Sequence, residues 1–339
     1  MALKAHSCAT LSLFLAVLIL SADTILLKKH RKLSTSASLS VFWKMIFTGA
    51  FELMFALYML DGPYEVWKNL RDDASRYTWL AVFCTAVFSG CCSFALVYGL
   101  DVSLVLLLFA MSPLWAAIMD MLFFSKSIGI HTMVAIVISI SALAFATIPA
   151  IFKLNLSNKS NIYSDSDSSD LKQLITIGLG LLGGITGAGF AVLYRRAFEK
   201  GEQEARAMKN VPWLSSLVCI IVTGSIIVVN RLPIAEPSFV ATLWSLFNGL
   251  VLSIFNVTCV MVAQHLSSVE ISLMGQLEGV VVPIWMWLEL QVQPNMESVV
   301  ALGVILIVVA SHSIYQSKIV DEKCEASTRS DKDEEQHLI

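Results

Sequence analysis

The chain has 339 residues, of which 56% are hydrophobic and only 14% are charged, and its mean hydropathy is +0.73. Since soluble globular proteins carry about 25% charged residues, this composition indicates an integral membrane protein and argues against a large soluble core. The formal net charge of −3 and the lack of a basic stripe give no reason to expect a nucleic-acid partner.

Ten stretches of the sequence are apolar over roughly the 20 residues that a membrane-spanning helix needs. The first could be mistaken for a signal peptide, but "LILSAD" is a poor cleavage site and a basic cluster follows it directly. We therefore predict an all-α integral membrane protein with ten transmembrane helices. The predicted spans are residues 9–27, 39–60, 78–100, 102–124, 130–151, 174–194, 211–230, 239–263, 269–290 and 296–316.

Spans 1 and 2 contain the ionisable residues Asp23, Lys44 and Glu52. Such a side chain costs about 2.5–3.5 kcal/mol at the bilayer centre, so it usually faces the bundle interior and pairs there. Asp23 lies about one turn before the end of span 1, and Lys44 just over one turn after the start of span 2. Their depths match, so we predict a charge pair, or a polar pair open to a cavity, at the outer mouth of a pathway. The alternative is that Lys44 extends to the outer headgroups.

Glu52 cannot be the partner of Lys44, because eight helical residues separate the two by about 12 Å along the axis. It lies past the midpoint of span 2, and Glu278 lies near the middle of span 9 beside Gln276. A buried carboxyl group can bind a proton near neutral pH, so both glutamates are candidate proton carriers or contacts for a cationic substrate. The alternative is a neutral carboxylic acid that hydrogen-bonds across helices.

Further polar and aromatic side chains could line the same pathway, although aromatic residues in membrane helices also pack or anchor at the interface. We interpret acidic residues near span ends as interfacial and His312 as making an ordinary helix hydrogen bond. The candidate pathway residues are Trp43, Tyr98, Trp115, Asn248, Gln264, Gln276 and Trp285, and the acidic residues near span ends are Asp120, Glu270 and Glu289.

Span 6 contains "GLGLLGGITGAG", in which Gly180 and Gly184, and Gly183 and Gly187, are four residues apart. This spacing lets two membrane helices approach closely, so we predict a packing role. The run lacks the lysine of a phosphate-binding loop. The seven cysteines include no CxxC pair and no Cys/His cluster at metal-ligand spacing, so we expect neither a metal site nor a cofactor.

Two polar segments bear on orientation. Residues 152–173 form a predicted polar loop with glycosylation sequons at Asn155 and Asn158, which need the lumenal or extracellular side. Residues 317–339 form a predicted disordered tail in which Glu334, Leu338 and Ile339 fit an acidic dileucine sorting signal. That signal must face the cytoplasm, where clathrin adaptors would bind it.

The distribution of basic residues gives the same orientation. With ten spans, the loops on the side of the termini hold 14 Lys and Arg residues against 8 on the other side. Cytoplasmic loops carry an excess of these residues, so we predict that both termini, including residues 1–8, are cytoplasmic. The sequence does not decide which membrane holds the protein: an endosomal, vacuolar or other internal membrane, or the plasma membrane.

The two halves of the chain resemble each other weakly. "DTILLKKH" closes span 1 and "AVLYRRAF" closes span 6 about 167 residues later, while "YGLDVSLVLLLFAMSP" aligns with "QHLSSVEISLMGQLEG" at a shift of 166. Each half has five spans, so the second half must cross the membrane in the opposite sense. We therefore predict two inverted five-helix repeats, 9–151 and 174–316, an architecture common in secondary transporters with a site between the halves.

These features resemble the drug/metabolite transporter superfamily, in particular its EamA-like members, over roughly residues 9–316. The resemblance rests on the basic doublet after the first span of each half, on "FWK" early in span 2, and on the fourth spans "LLLFAMSPLWAAIMDMLFF" and "SLMGQLEGVVVPIWMWLEL". Members often have Glu-Pro where this chain has Glu278-Gly279. This chain therefore lacks that proline, but it has Pro283 about one turn later. Members often have an acidic residue at the end of the fourth span of a half. The second half of this chain has one, Glu289 in span 9, whereas the first half has none at the end of span 4.

The resemblance implies a secondary active transporter of a small polar metabolite, such as an amino acid, a nucleoside or nucleotide sugar, or an organic cation, that works by alternating access, with proton coupling as an option. It does not identify the substrate. The alternatives are a non-transporting membrane scaffold or receptor and a membrane-embedded transferase. The expected partners are the substrate and the bilayer, and a homodimer is left open.

Overall fold

The computed structural model describes most of the chain, and all regular structure in the described part is helical. The described residues are 2–34, 36–97, 108–109, 111–124, 129–159, 166–232, 234, 238–290 and scattered positions between 296 and 315. The helices are α1 (Ala2–Leu20), α2 (Asp23–Leu33), α3 (Ala37–Met59), α4 (Pro63–Asp72), α5 (Arg76–Val97), α6 (Ser112–Phe124), α7 (Ile130–Lys159), α8 (Ser166–Lys200), α9 (Glu202–Met208), α10 (Val211–Val229), α11 (Phe239–Val262) and α12 (Ser268–Leu290).

Six helical stretches are long and apolar enough to cross a membrane, and they correspond to predicted spans 1, 2, 3, 6, 7 and 8. Two shorter apolar helices correspond to spans 4 and 5, and α12 to span 9. Of span 10 the structure describes only scattered positions between 296 and 315, all of them helical. The protein is therefore a multi-pass membrane protein, and its described part is helical. The six stretches are Ala5–Arg31, Ala37–Met59, Arg76–Ala95, Ile177–Lys200, Glu202–Val229 and Phe239–Val262.

The first predicted span is interrupted rather than continuous. A turn at Ser21–Ala22 separates α1 from α2. Within it, the Ser21 hydroxyl donates to the carbonyl of Leu18 at 2.6 Å, and the Ala22 amide bonds to Ile19, only three residues back. A serine hydroxyl that bonds a backbone carbonyl one turn earlier often bends a helix. The chain then stays helical to Leu33, so the basic run 28–32 lies in a helix and not in a loop.

The predicted polar loop is shorter than expected. Helix α7 continues to Lys159 and α8 begins at Ser166, so Asn155 and Asn158 lie in the last turns of α7. Polar residues beyond a membrane span do not by themselves end a helix, because a helix can extend into water. The residues of the tail motif, Glu334, Leu338 and Ile339, lie outside the described residues, as does Tyr98.

The two predicted halves are interleaved in the bundle. Helix α8 packs along α5, and α1 with α2 packs along α11, so the first span of each half contacts the third span of the other. Helices α3 and α10, the second spans, pack on each other, and each also contacts the third span of the other half. The fourth span of each half contacts the first span of the other half, since α6 packs on α8 and α12 packs on α1.

Glycines mark the closest helix approaches. A Cβ added to Gly184 would lie 2.8 Å from the backbone oxygen of Leu108, and one added to Gly187 would lie 3.0 Å from the ring of Phe88. The other two glycines singled out in span 6, Gly180 and Gly183, face Leu108 and Phe109 in the same way. These contacts support the packing role predicted for this run.

We expect Gly249→Ala to destabilise the bundle. An added Cβ at Gly249 of α11 would lie 2.7 Å from Phe47 Cβ and 2.7 Å from the backbone nitrogen of Thr48 on α3, and the backbone cannot yield cheaply. Overpacking of this kind costs about 1–3 kcal/mol. Gly90→Ala is the matched control, because nothing lies within 4 Å of its added Cβ. Thermal unfolding in detergent should show a lower Tm for the first variant alone, and equal Tm values would refute the close approach.

Candidate functional site

A buried ion pair joins α2 to α3. Lys44 Nζ donates to Asp23 Oδ2 at 2.7 Å and to Ser93 Oγ of α5 at 3.1 Å. Lys44 is 1% exposed and Asp23 is 5% exposed. The pair expected from matching depths is therefore present. Lys44 does not extend to headgroups, because its ammonium group is enclosed by these partners.

Asn248 of α11 completes the surroundings of this carboxylate. With its amide assigned by its neighbours, Asn248 Nδ2 donates to the second carboxylate oxygen of Asp23, and its Oδ1 accepts from the Leu27 amide at 2.9 Å. We call Asp23, Lys44, Ser93 and Asn248 the Asp23 cluster. It brings together four helices, so a change in any of their positions changes the surroundings of the ion pair.

The Asp23 cluster lies at the interruption of the first span. Asp23 is the first residue of α2, where unpaired amides of a helix start favour a negative charge. On the other side of the turn, Trp285 Nε1 of α12 donates to the Ser21 hydroxyl at 2.7 Å. Trp285, a predicted pathway residue, thus holds the turn from the neighbouring helix.

Glu52 has a separate site, which we call the Glu52 site. Its Oε2 accepts from Ser216 Oγ of α10 at 2.6 Å, and its Oε1 accepts from Asn256 Nδ2 of α11 at 2.7 Å. The side chain is 1% exposed, so both carboxyl oxygens are satisfied by neutral donors inside the bundle. Glu52 thus hydrogen-bonds across helices, and both roles considered for it from the sequence are compatible with these contacts.

A cavity of about 60 Å³ is lined in part by Glu278, which is half-buried. This volume has room for a few water molecules. Glu278 also lies close enough to Asp23 and Lys44 to interact with them electrostatically. Glu278 therefore relates the cavity electrostatically to the Asp23 cluster, although no residue of that cluster lines the cavity, and helices of both halves form the cavity walls. Its lining includes Phe88, Phe190, Phe255, Ser272, Gln276 and Glu278.

The remaining aromatic and amide candidates lie elsewhere. Trp43 Nε1 donates to the carbonyl of Ile234 at 3.0 Å in an exposed position, which is typical of an anchor near a helix end. Trp115 packs against the apolar core, and Gln264 is exposed. Of the candidates in the described part, Gln276 and Glu278 line the cavity and Asn248 belongs to the Asp23 cluster.

The ends of α12 hold two further acidic groups. Glu270, interpreted as interfacial, is buried: its Oε1 lies 3.2 Å from His6 Nε2 and its Oε2 accepts from the Ser267 amide at 2.8 Å. His6 was not singled out by the sequence. At the other end Glu289 is half exposed and pairs with Lys29, as expected of an interfacial residue.

The remaining ionisable candidates lie on other helices. Asp120 of α6 accepts a hydrogen bond from Ser268, and His312 is buried. Within the described residues, no group of three or more His, Cys, Asp or Glu side chains is placed to hold a metal.

Comparison with solved structures shows a shared fold. A solved structure titled only as the crystal structure of a protein superposes on this chain with a TM-score of 0.62 at 12% sequence identity. The alignment covers 92% of this chain and 99% of that chain. Identity this low shows the fold alone. A comparison with curated proteins found no match.

Comparison with protein families finds a match in the first half of the chain. Residues 8–148 match the EamA-like transporter family. These residues contain most of α1, all of α2 to α6 and most of α7, including Asp23, Lys44 and Glu52. Residues 8–148 are thus similar to the EamA-like transporter family, which is consistent with the resemblance to the drug/metabolite transporter superfamily in the sequence.

Proposed function

We propose that the protein is a secondary active transporter of a small polar metabolite that works by alternating access and is coupled to protons. The observation that carries the proposal is the buried Asp23–Lys44 pair beside the interrupted first span and next to the cavity of Glu278. Buried charges in membrane helices are costly and typically mark substrate or ion pathways.

The interleaved packing supports two inverted five-helix repeats as the architecture. In such repeats, contacts recur between equivalent positions of the two halves. Lys29 Nζ lies 4.9 Å from the ring of Trp244, and Arg196 Cζ lies 5.2 Å from the ring of Tyr77. The two cations are 167 residues apart, and so are the two aromatic residues. Gly49 and Ser216, also 167 residues apart, meet where α3 crosses α10.

The Asp23 cluster supports a polar substrate that carries charge. The Asp23 carboxylate and the Lys44 ammonium group lie 2.7 Å apart. Asp23 can release Lys44 and bind a cationic group of the substrate, and Lys44 can release Asp23 and bind an anionic group. A helix interruption in a membrane span exposes backbone groups that commonly bind substrate in transporters. The substrate classes that fit are an amino acid, a nucleoside or nucleotide sugar, and an organic cation.

Glu278 and Glu52 support proton coupling. Glu278 lies in the cavity near the Asp23 cluster, where its protonation would change the local charge as substrate binds. Glu52 lies at the crossing of the halves, because its partners belong to α10 and α11. A proton bound there would alter contacts between elements that move against each other in alternating access.

The proposal also includes the orientation that the loop charges predict. Both termini face the cytoplasm, and the tail directs the protein to internal membranes through Glu334, Leu338 and Ile339, with the plasma membrane as the other address. In that orientation, Asn155 and Asn158 face the lumen or the exterior and are available for glycosylation. A scaffold, a receptor and a transferase are the alternatives.

Counterflow in proteoliposomes tests the transport activity. The full chain would be reconstituted, loaded with one unlabelled metabolite from a panel, and supplied with trace label outside, with and without a pH gradient. We expect transient label accumulation for one metabolite class, because alternating access exchanges substrate across the membrane. Empty liposomes are the control. No accumulation across amino acids, nucleosides, nucleotide sugars and organic cations would favour the scaffold or the transferase.

A further inference from the structure

The cavity lined by Glu278 has an aromatic wall. The ring centres of Phe88 and Phe109 lie 5.9 Å apart and those of Phe88 and Phe190 lie 5.4 Å apart, with interplanar angles of 51° and 53°. These rings form a curved surface around Phe88, and Phe255 of α11 adds a fourth ring to the lining. The faces of aromatic rings carry partial negative charge, so such a wall favours a cation over an anion.

A buried hydroxyl group in the cavity wall lacks a partner. Hydroxyl groups in membrane helices often bond a carbonyl one turn earlier in their own helix, and Thr186, Thr223 and Thr258 do so here at 2.7 Å. Ser272 of α12 lines the cavity and is 8% exposed, but its Oγ has no hydrogen-bond partner within the described residues. A buried polar group left unpaired is costly, so this hydroxyl indicates an occupant of the cavity that hydrogen-bonds to it.

The charge at the cavity is negative when Glu278 is ionised. Glu278 interacts electrostatically with Asp23 and Lys44, but Lys44 is already paired with Asp23. Among the described residues that line the cavity there is no lysine, arginine or histidine. A cation inside the cavity would therefore give the Glu278 carboxylate the partner that a charge enclosed in a membrane bundle needs.

The cavity lies where a substrate site is expected. Glu278 lies near the middle of α12 and Phe88 lies near the middle of α5, and both halves of the chain contribute to the lining. Substrate sites of transporters with inverted repeats lie near the midplane of the membrane, between the halves. A group bound in the cavity would thus be enclosed by both halves.

We propose that the cavity binds the ammonium group of a primary amine, which donates to the Glu278 carboxylate and to the Ser272 hydroxyl and is otherwise surrounded by the phenylalanine rings. Charge-assisted hydrogen bonds and aromatic faces together favour a cation that has N–H donors. The proposal rests on the proposed transport function and narrows its substrate to the organic cation class.

The same features disfavour the other two substrate classes. A volume of about 60 Å³, with room for a few water molecules, holds an ammonium group but no nucleobase. In an amino acid the carboxylate is attached to the carbon that bears the nitrogen, so it would lie close to Glu278, where like charges repel. The site thus selects an amine without a neighbouring carboxylate.

Isothermal titration calorimetry of the full chain in detergent tests the site, with butylammonium as the probe. We expect butylammonium to bind more tightly than three analogues of similar length. Of these, butan-1-ol lacks the charge, butyltrimethylammonium lacks the N–H donors, and 2-aminopentanoate adds a carboxylate. Absence of butylammonium binding, or equal binding of any analogue, would overturn the proposal.

Phe190→Leu tests the aromatic wall. It removes one ring and should weaken butylammonium binding about fivefold. Phe198→Leu is the matched control, because Phe198 lies about two turns further along α8 and packs against the core without lining the cavity. It should bind butylammonium as the unmodified chain does, and equal losses in the two variants would contradict a role of the wall in binding.

Ser272→Ala tests the unpaired hydroxyl. It should weaken butylammonium binding about tenfold, whereas the Tm without ligand should stay unchanged, because within the described residues the hydroxyl has no hydrogen bond to lose. A lower Tm of the unliganded variant with unchanged binding would assign Ser272 a structural role and contradict the proposal.

Glu278→Gln should weaken binding about tenfold without abolishing it, because the introduced amide oxygen accepts from an ammonium group but carries no charge. Exchange at saturating substrate therefore continues in this variant. Butylammonium binding without counterflow of any amine would retain the site and overturn the transport function. Counterflow of another metabolite class without butylammonium binding would overturn the site and retain the function.

Discussion

Replacing Lys44 by methionine should abolish counterflow and lower the free energy of unfolding by about 3–5 kcal/mol, the cost of leaving one partner of a buried pair without the other. Methionine has nearly the length of lysine, so packing is largely kept and the ammonium group is what is lost. Asp23 would remain 5% exposed with Asn248 as its polar side-chain neighbour. A carboxylate held in that position without its cation is strongly disfavoured.

The double variant Asp23→Asn/Lys44→Met separates stability from function. Removing both charges of a buried pair is often close to neutral for stability, so this variant should unfold at a higher temperature than Lys44→Met. It should still fail in counterflow, because the proposed substrate contacts are gone. Recovery of stability without recovery of transport is the expected signature of a pair that binds substrate.

Lys29→Met is the matched control for Lys44→Met. Lys29 also pairs with a carboxylate, Glu289, but its side chain is 34% exposed. Pairs exposed to this extent contribute about 0–1 kcal/mol, so this variant should keep most of its stability and its counterflow. Equal losses in the two lysine variants would contradict a special role for the buried pair. Failure of the charge-swapped variant Asp23→Lys/Lys44→Asp to recover any transport would count against the pairing as the functional contact.

Sequence reasoning predicted this pair because both depths could be counted from span ends. It also predicted the close approach at the span 6 glycines, since small residues at four-residue spacing have one common use in membrane helices. In both cases the information was local, within one or two neighbouring spans. The resemblance to EamA-like proteins rests on the layout of the spans together with short local motifs, and the family match supports it over residues 8–148.

The surroundings of Glu52 could not be predicted in the same way. Its partners, Ser216 and Asn256, are 164 and 204 residues away, and both are neutral. No charge rule selects a neutral partner, and the order of helices in the bundle decides which one it meets. Asn256 does give a signal, as an amide in the middle of an apolar span, but the amide alone does not identify its partner.

The interruption of span 1 was also beyond sequence reasoning. Neither proline nor glycine occurs at Ser21–Ala22, and the local cause, the Ser21 hydroxyl on the Leu18 carbonyl, is open to any serine in a membrane helix, so a serine alone does not predict a break. Trp285 on the Ser21 hydroxyl and Asn248 on Asp23 add contacts from other helices. The buried His6–Glu270 contact joins residues 264 apart in sequence and is similarly a consequence of the bundle.

Replacing Glu278 by glutamine should remove the response of transport to a pH gradient and leave counterflow at equal pH intact. Glutamine has the shape of glutamic acid but neither binds nor releases a proton in this range. Glu278 lies in the cavity and interacts with Asp23 and Lys44, so its proton would be linked to substrate binding. Uptake against a substrate gradient, driven by a pH difference across proteoliposomes, should fall to the level of passive exchange. Glu289→Gln, at an exposed helix end, should keep the full response and is the control.

Glu52→Gln tests whether Glu52 carries the proton instead of Glu278. The variant keeps both hydrogen bonds, because the introduced amide oxygen can accept from Asn256 and the Ser216 hydroxyl can turn to accept from the introduced amide nitrogen. Any loss of pH response therefore reports the missing proton and not missing packing. Loss in Glu278→Gln alone assigns coupling to the cavity, and loss in Glu52→Gln alone assigns it to the crossing of the halves. Loss in both indicates a path through both sites. An unchanged pH response in both variants would refute proton coupling through these residues, and the Asp23–Lys44 pair would then remain as the substrate contact of an uncoupled carrier.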